Sequence, residues 1–142
     1  MKYFLPVWLL TFFVCCKTTQ LSPEQYDKAQ IVFGSGGGFS GAYNEYTLLD
    51  DGRLFQRNKD NKSNTEIKKV DKKITTQIFN NIKTFGLDQF RHNEPQNLYY
   101  FLKYRTPADS NKIVWSGKPE NQLAVVNSIY KLLIDQTKNA EK

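Results

Sequence analysis

Along residues 98–105, LYYFLKYR, side chains of different character alternate with a period of two. Leu98, Tyr100, Leu102 and Tyr104 fall on one side of an extended chain, and Tyr99, Phe101, Lys103 and Arg105 on the other. The first set is the natural core face of a strand. The second leaves Tyr99 and Phe101 on the back of a sheet, either covered or free to bind. PADSN (107–111) then turns the chain and KIVWSG (112–117) returns it as the other arm of a hairpin. Upstream, QIVFG (30–34) reads as a short strand. AYNEYTLLDDGRLFQRN (42–58) reads as a ribbon folded at Asp51-Gly52, a strong hairpin signal. DNKSN (60–64) is a second turn, and TEIKKV (65–70) a further strand.

Two segments change period. After Asp71, a helix N-cap, Ile74, Ile78, Ile82 and Phe85 share an arc of about 80° on a helix, and Gly86 stands where a left-handed C-cap belongs. Residues 87–97 read as a loop. Residues 120–136 form a second helix whose apolar positions, Leu123 to Ile134, span roughly 200°. That width predicts a largely buried helix, with a face shared with a partner as the alternative. The order of hairpins and separate helices predicts an α+β fold: a single antiparallel sheet of five to six strands with two helices packed on one face.

GSGGGFSGAY (34–43) contains a literal G-x-G-x-x-G over residues 36–41. A dinucleotide site needs that motif between a strand and a helix, whose N-terminus supplies the field for a phosphate. Here a strand follows, so the pattern argues against a nucleotide. A connecting loop whose glycines supply positive φ is the simpler reading. Gly36, Gly37, Gly38, Phe39 and Tyr43 form a candidate binding surface. Phe39 either folds back onto its own sheet or serves as a plug for another molecule's pocket, and the first is weighed slightly ahead.

The chain has 142 residues, and its first segment stands apart. Met1 and Lys2 precede an apolar run from Phe4 to Val14, too short for the about 20 residues of a bilayer span. The run ends at Cys15-Cys16, the only two cysteines. They could be buried thiols or a strained neighbour disulfide. FFVCC also resembles a bacterial lipoprotein signal, which implies cleavage after residue 15 and lipid on Cys16, with Cys15 as the less favoured position. Several acyl chains on one cysteine hold a protein stably, where a single chain does not. Residues 1–15 are thus expected as a signal peptide, 16–29 as anchor and flexible tether, 30–137 as the domain and 138–142 as a frayed tail. Removing the signal takes away Lys2 and lowers the formal charge from +6 to +5. The tether lacks an acidic run after the cysteine, which favours a cell-envelope, periplasm-facing location.

The glycine segment SGGGFSG, followed by ribbon, helix, hairpin and closing helix, resembles the emfourin family, small bacterial inhibitors of thermolysin-like metalloproteases. The layout is also similar to uncharacterised small lipoproteins of the Bacteroidota. Only residues 35–41 carry the likeness in letters. The chain differs in one added glycine, a longer ribbon and the anchor. The resemblance implies an inhibitor of such metalloproteases.

The remaining chemistry is sparse. His92 is the only histidine and reads as a solvated loop residue; Asp50 and Asp51 read as turn residues. No metal-ligand spacing, cofactor motif or nucleophile constellation is present in the sequence. Arg53, Arg57, Lys68 and Lys69 lead a basic stretch that also includes Lys59, Lys62, Lys72 and Lys73. It is either a solvated face or a surface for anionic headgroups or glycans; nucleic acid does not suit an exported protein. The expectation is a non-enzymatic, lipid-anchored envelope domain that binds a protein or another envelope component, with protease inhibition as the alternative.

Overall fold

The computed structural model describes residues 21–138. The expected signal peptide and Cys16 lie outside the described residues, as does the tail after Lys138. Nine elements follow one another: β1 (Gln30–Gly37), β2 (Ala42–Leu49), β3 (Arg53–Arg57), β4 (Asn64–Lys69), α1 (Lys72–Thr84), β5 (His92–Asn93), β6 (Leu98–Arg105), β7 (Ser110–Trp115) and α2 (Gln122–Lys138). They form an α+β domain with one seven-stranded sheet in the order β4-β3-β2-β1-β6-β7-β5. Among the described residues no helix is long and apolar enough to cross a membrane.

The sheet is mixed, a correction to the all-antiparallel expectation. The segment expected as a loop over 87–97 contributes β5, which runs parallel to β7 with His92 opposite Ile113. Two residues of strand carry no periodic signal, because a period needs more than one repeat. Their effect is to cover the outer edge of β7.

Both helices pack on one face. Tyr130 of α2 meets Phe33 edge-on at 6.5 Å, and Phe79 of α1 meets Tyr104 at 6.4 Å. Phe33 and Tyr104 point to the same side, since Ile31, two residues from Phe33, pairs with Tyr104. Ile78 and Ile82 of α1 and Val126, Ile129, Tyr130 and Leu133 of α2 are buried there with Ile31, Leu48, Leu54, Leu102 and Trp115. The wide apolar arc of α2 is therefore only partly covered: Leu132 remains 45% exposed.

Local chemistry explains the helix ends. Asp71 caps α1, its carboxylate accepting from the amides of Lys73 and Ile74. At the other end Gly86 N–H donates to Lys83 O and Leu87 N–H to Ile82 O, a Schellman motif with Gly86 at φ 64° and Leu87 buried.

Residues 22–29 are not the free tether expected. Tyr26 is buried against Leu49 and Phe55 on the helix-free face, and its hydroxyl donates to Asp50. Gln30 Nε2 donates to Pro23 O at 3.1 Å, and Arg53 donates to Leu21 O at 3.0 Å. The segment lacks a period because it docks as irregular chain through single side chains.

Candidate functional site

The glycine segment is strand for most of its length. β1 continues to Gly37, paired on one side with β2 (Gly34 with Glu45, Gly36 with Tyr43) and on the other with β6 (Gly34 with Phe101, Gly36 with Tyr99). The loop expected over 34–43 shrinks to a turn over Gly38–Gly41, closed by Gly41 N–H donating to Gly38 O at 3.1 Å. Gly38 N–H also donates to Asn97 O at 2.6 Å, tying the turn to the start of β6.

The glycines serve space as well as torsion. A Cβ on Gly36 would lie 2.5 Å from the Tyr99 hydroxyl oxygen, and one on Gly34 would lie 2.9 Å from the Phe101 ring. Both rings therefore lie against bare backbone of the central strand. Gly37 has φ 90°, and a Cβ there would sit 1.9 Å from Asn97 O, so no other residue fits.

At the tip Phe39 is 109% exposed. The expectation weighed slightly ahead, that this ring folds back onto its own sheet, is overturned. The bed it would need is already occupied. Tyr43 lies over Phe101, centroids 5.6 Å apart and planes 12° apart, while Tyr99 covers Gly36. Leu98, paired with Gly37, is half exposed at the same end of the sheet. Phe39, Tyr43, Tyr99 and Leu98 thus share one end of the molecule. Leu98 and Tyr99 were legible as strand residues, but their position beside the glycines depends on a pairing across more than sixty residues.

Behind Tyr43 lies a polar cluster. Its hydroxyl donates to Glu45, which also accepts from Arg57 at 2.9 Å. Burial, and then the hydrogen bond to Glu45, hold the Tyr43 phenol above its ordinary range. The same carboxylate raises Arg57 further. A hollow of about 260 Å³ opens between these residues, Asn58, Lys59 and Lys62.

The expected basic surface is divided. Arg53 pairs with Asp51 at 2.8 Å and Arg57 with Glu45, so neither is a free cation. Lys68 lies opposite Leu54 and Lys69 opposite Arg53 on the edge strand β4. His92 is not a solvated loop residue: it sits in β5, its ring stacked on Phe90 at 6.2 Å, its side chain 21% exposed. Asp50 and Asp51 do occupy the turn, with Gly52 N–H donating to Leu49 O. Among the described residues no group of three or more metal-ligating side chains converges.

The chain matches no protein-family model, and no curated protein matches it in sequence.

Proposed function

We propose that the chain is a non-enzymatic, lipid-anchored domain of the cell envelope that binds a protein partner through the tip of the β1–β2 hairpin. The supporting observation is Phe39, a whole aromatic ring in solvent on a turn held by a doubly paired central strand. Such a ring loses little conformational freedom on binding and brings a large apolar area to a pocket. Tyr43, Tyr99 and Leu98 would form the surrounding contact. The lipoprotein-like FFVCC and Cys16 support the envelope location. Two experiments test the two halves. Labelled palmitate should enter the protein and be lost in Cys16→Ala. Affinity capture from envelope extracts should recover a partner with the parent and lose it with Phe39→Ala, while Cys16→Ala leaves the direct contact intact.

A second reading keeps the same surface and makes the partner a secreted thermolysin-like metalloprotease. It is favoured by the form of the turn, a single Phe on a short glycine-bounded projection suited to an apolar enzyme pocket. Titration of such an enzyme separates the readings. Stoichiometric loss of activity at micromolar protein supports inhibition, and unchanged activity removes it.

A further inference from the structure

We propose that the β6–β7 half of the helix-free sheet face lies against anionic phospholipid headgroups in the anchored protein. The inference rests on the lipid-anchored reading above. Its first support is an arrangement of charge. Lys103 of β6 stands directly opposite Lys112 of β7, and Arg105 follows Lys103 on the same face. Like charges directly opposed on neighbouring strands repel each other. Among the described residues no carboxylate lies within ion-pair distance of any of the three. On the same face Arg53 and Arg57 each have a carboxylate partner, whereas Lys69, opposite Arg53, has none within ion-pair distance among the described residues.

Lys112 is exposed, its ammonium 5.0 Å from the centre of the Phe101 ring, while Lys103 and Arg105 are half-buried. An anionic layer offsets the repulsion that the isolated domain retains. Of the three, Lys103 and Arg105 follow from the alternation of residues 98–105, but the opposition of Lys112 depends on the register of the hairpin.

The second support is the course of residues 21–29. The Leu21 carbonyl accepts from Arg53, whose guanidinium also lies 5.6 Å from the Tyr26 ring on the helix-free face. Residues 22–29 cover the β2–β3 half of that face, and on the β6–β7 half Phe101 and Val114 are buried while Lys112 is exposed. Four residues separate Cys16 from Leu21, which makes five residue steps, and an extended chain spans about 3.5 Å per step. A lipid on Cys16 thus holds Leu21 within about 18 Å of the bilayer. The chain leaves from the face that bears the unpaired cations, so the headgroups are the anions that this face meets first.

The test is lysine footprinting of the full-length chain produced in a bacterial host. The protein is mixed with vesicles of phosphatidylcholine alone, or of phosphatidylcholine with phosphatidylglycerol, and acetylated briefly. Lys131, exposed on α2 on the opposite side, is the internal standard. Lys103 and Lys112 are expected to react several-fold more slowly on the anionic vesicles than on the neutral ones, with high salt abolishing the difference and Lys131 unchanged. Flotation with the neutral vesicles reports the anchor separately. Protection without such flotation leaves the cationic surface standing and removes the anchor. Equal rates on both vesicles overturn the proposal whatever the flotation result, and assign the stripe to a soluble acidic polymer instead.

Discussion

At the scale of single residues, the glycines of β1 differ sharply in what they contribute. Gly37 combines φ 90° with a backbone oxygen 1.9 Å from any Cβ, whereas Gly38, at φ 77°, has open space around it. Gly37→Ala is therefore expected to cost about 2–4 kcal/mol, through strain and displaced backbone. Gly38→Ala should cost only the left-handed penalty, about 1–2 kcal/mol. Urea unfolding of the two variants measures the difference, and equal losses would contradict this account of the segment. Phe39 behaves oppositely. It contacts nothing that folding needs, so Phe39→Ala should leave the midpoint within about 0.5 kcal/mol of the parent. Phe39 itself was conspicuous in the sequence, but its orientation was not. Whether an aromatic beside glycines can fold back depends on what already covers them, and Tyr43 and Tyr99 are brought there by long-range pairing.

Among elements, the legible ones were those with internal repeats or strong caps. α1 could be read from its isoleucines, Asp71 and Gly86, and the ribbon from Asp51-Gly52. β6 showed its two faces by alternation. Three features were not legible: the extension of β1 through its glycines, the two-residue β5 and the docking of residues 22–29. Each is imposed by a neighbour and not by the segment's own propensity. β1 continues as a strand because β2 and β6 both pair with it, which offsets the entropic cost of glycine. The docked segment gives a direct prediction. Tyr26→Ala removes the cover from Leu49 and Phe55 and leaves Asp50 without its phenol donor. A loss of about 2–4 kcal/mol is expected, with faster amide exchange in β3 than in β7. An unchanged midpoint would show that residues 22–29 are the tether read from the sequence.

For the whole molecule, the sheet separates two environments. The helix side holds one continuous core. The other side combines a docked N-terminal segment, stacked aromatics and cations in unequal pairing. Both sides contribute to the response to pH. Burial, with the neighbouring Tyr100 next, pushes the Tyr130 phenol up to about 12. Tyr26 and Tyr43 are raised too, by burial first and then by their carboxylate partners. A folded-state pKa above the unfolded value of about 10 means full stabilisation below that pH and loss above it. Thermal stability should be flat through neutral pH and fall from about pH 10 upward, with a shallower fall in Tyr130→Phe. A decline beginning well below that value would assign it to other groups.

The central claim is that the hairpin tip meets a partner in the envelope. A photo-crosslinking amino acid in place of Phe39 tests it in living cells, with the same group at Phe85, which is also half exposed at the end of α1, as the control. A discrete adduct from position 39 that is absent from position 85 is the expected result. No adduct from position 39, or the same adducts from both positions, would contradict it.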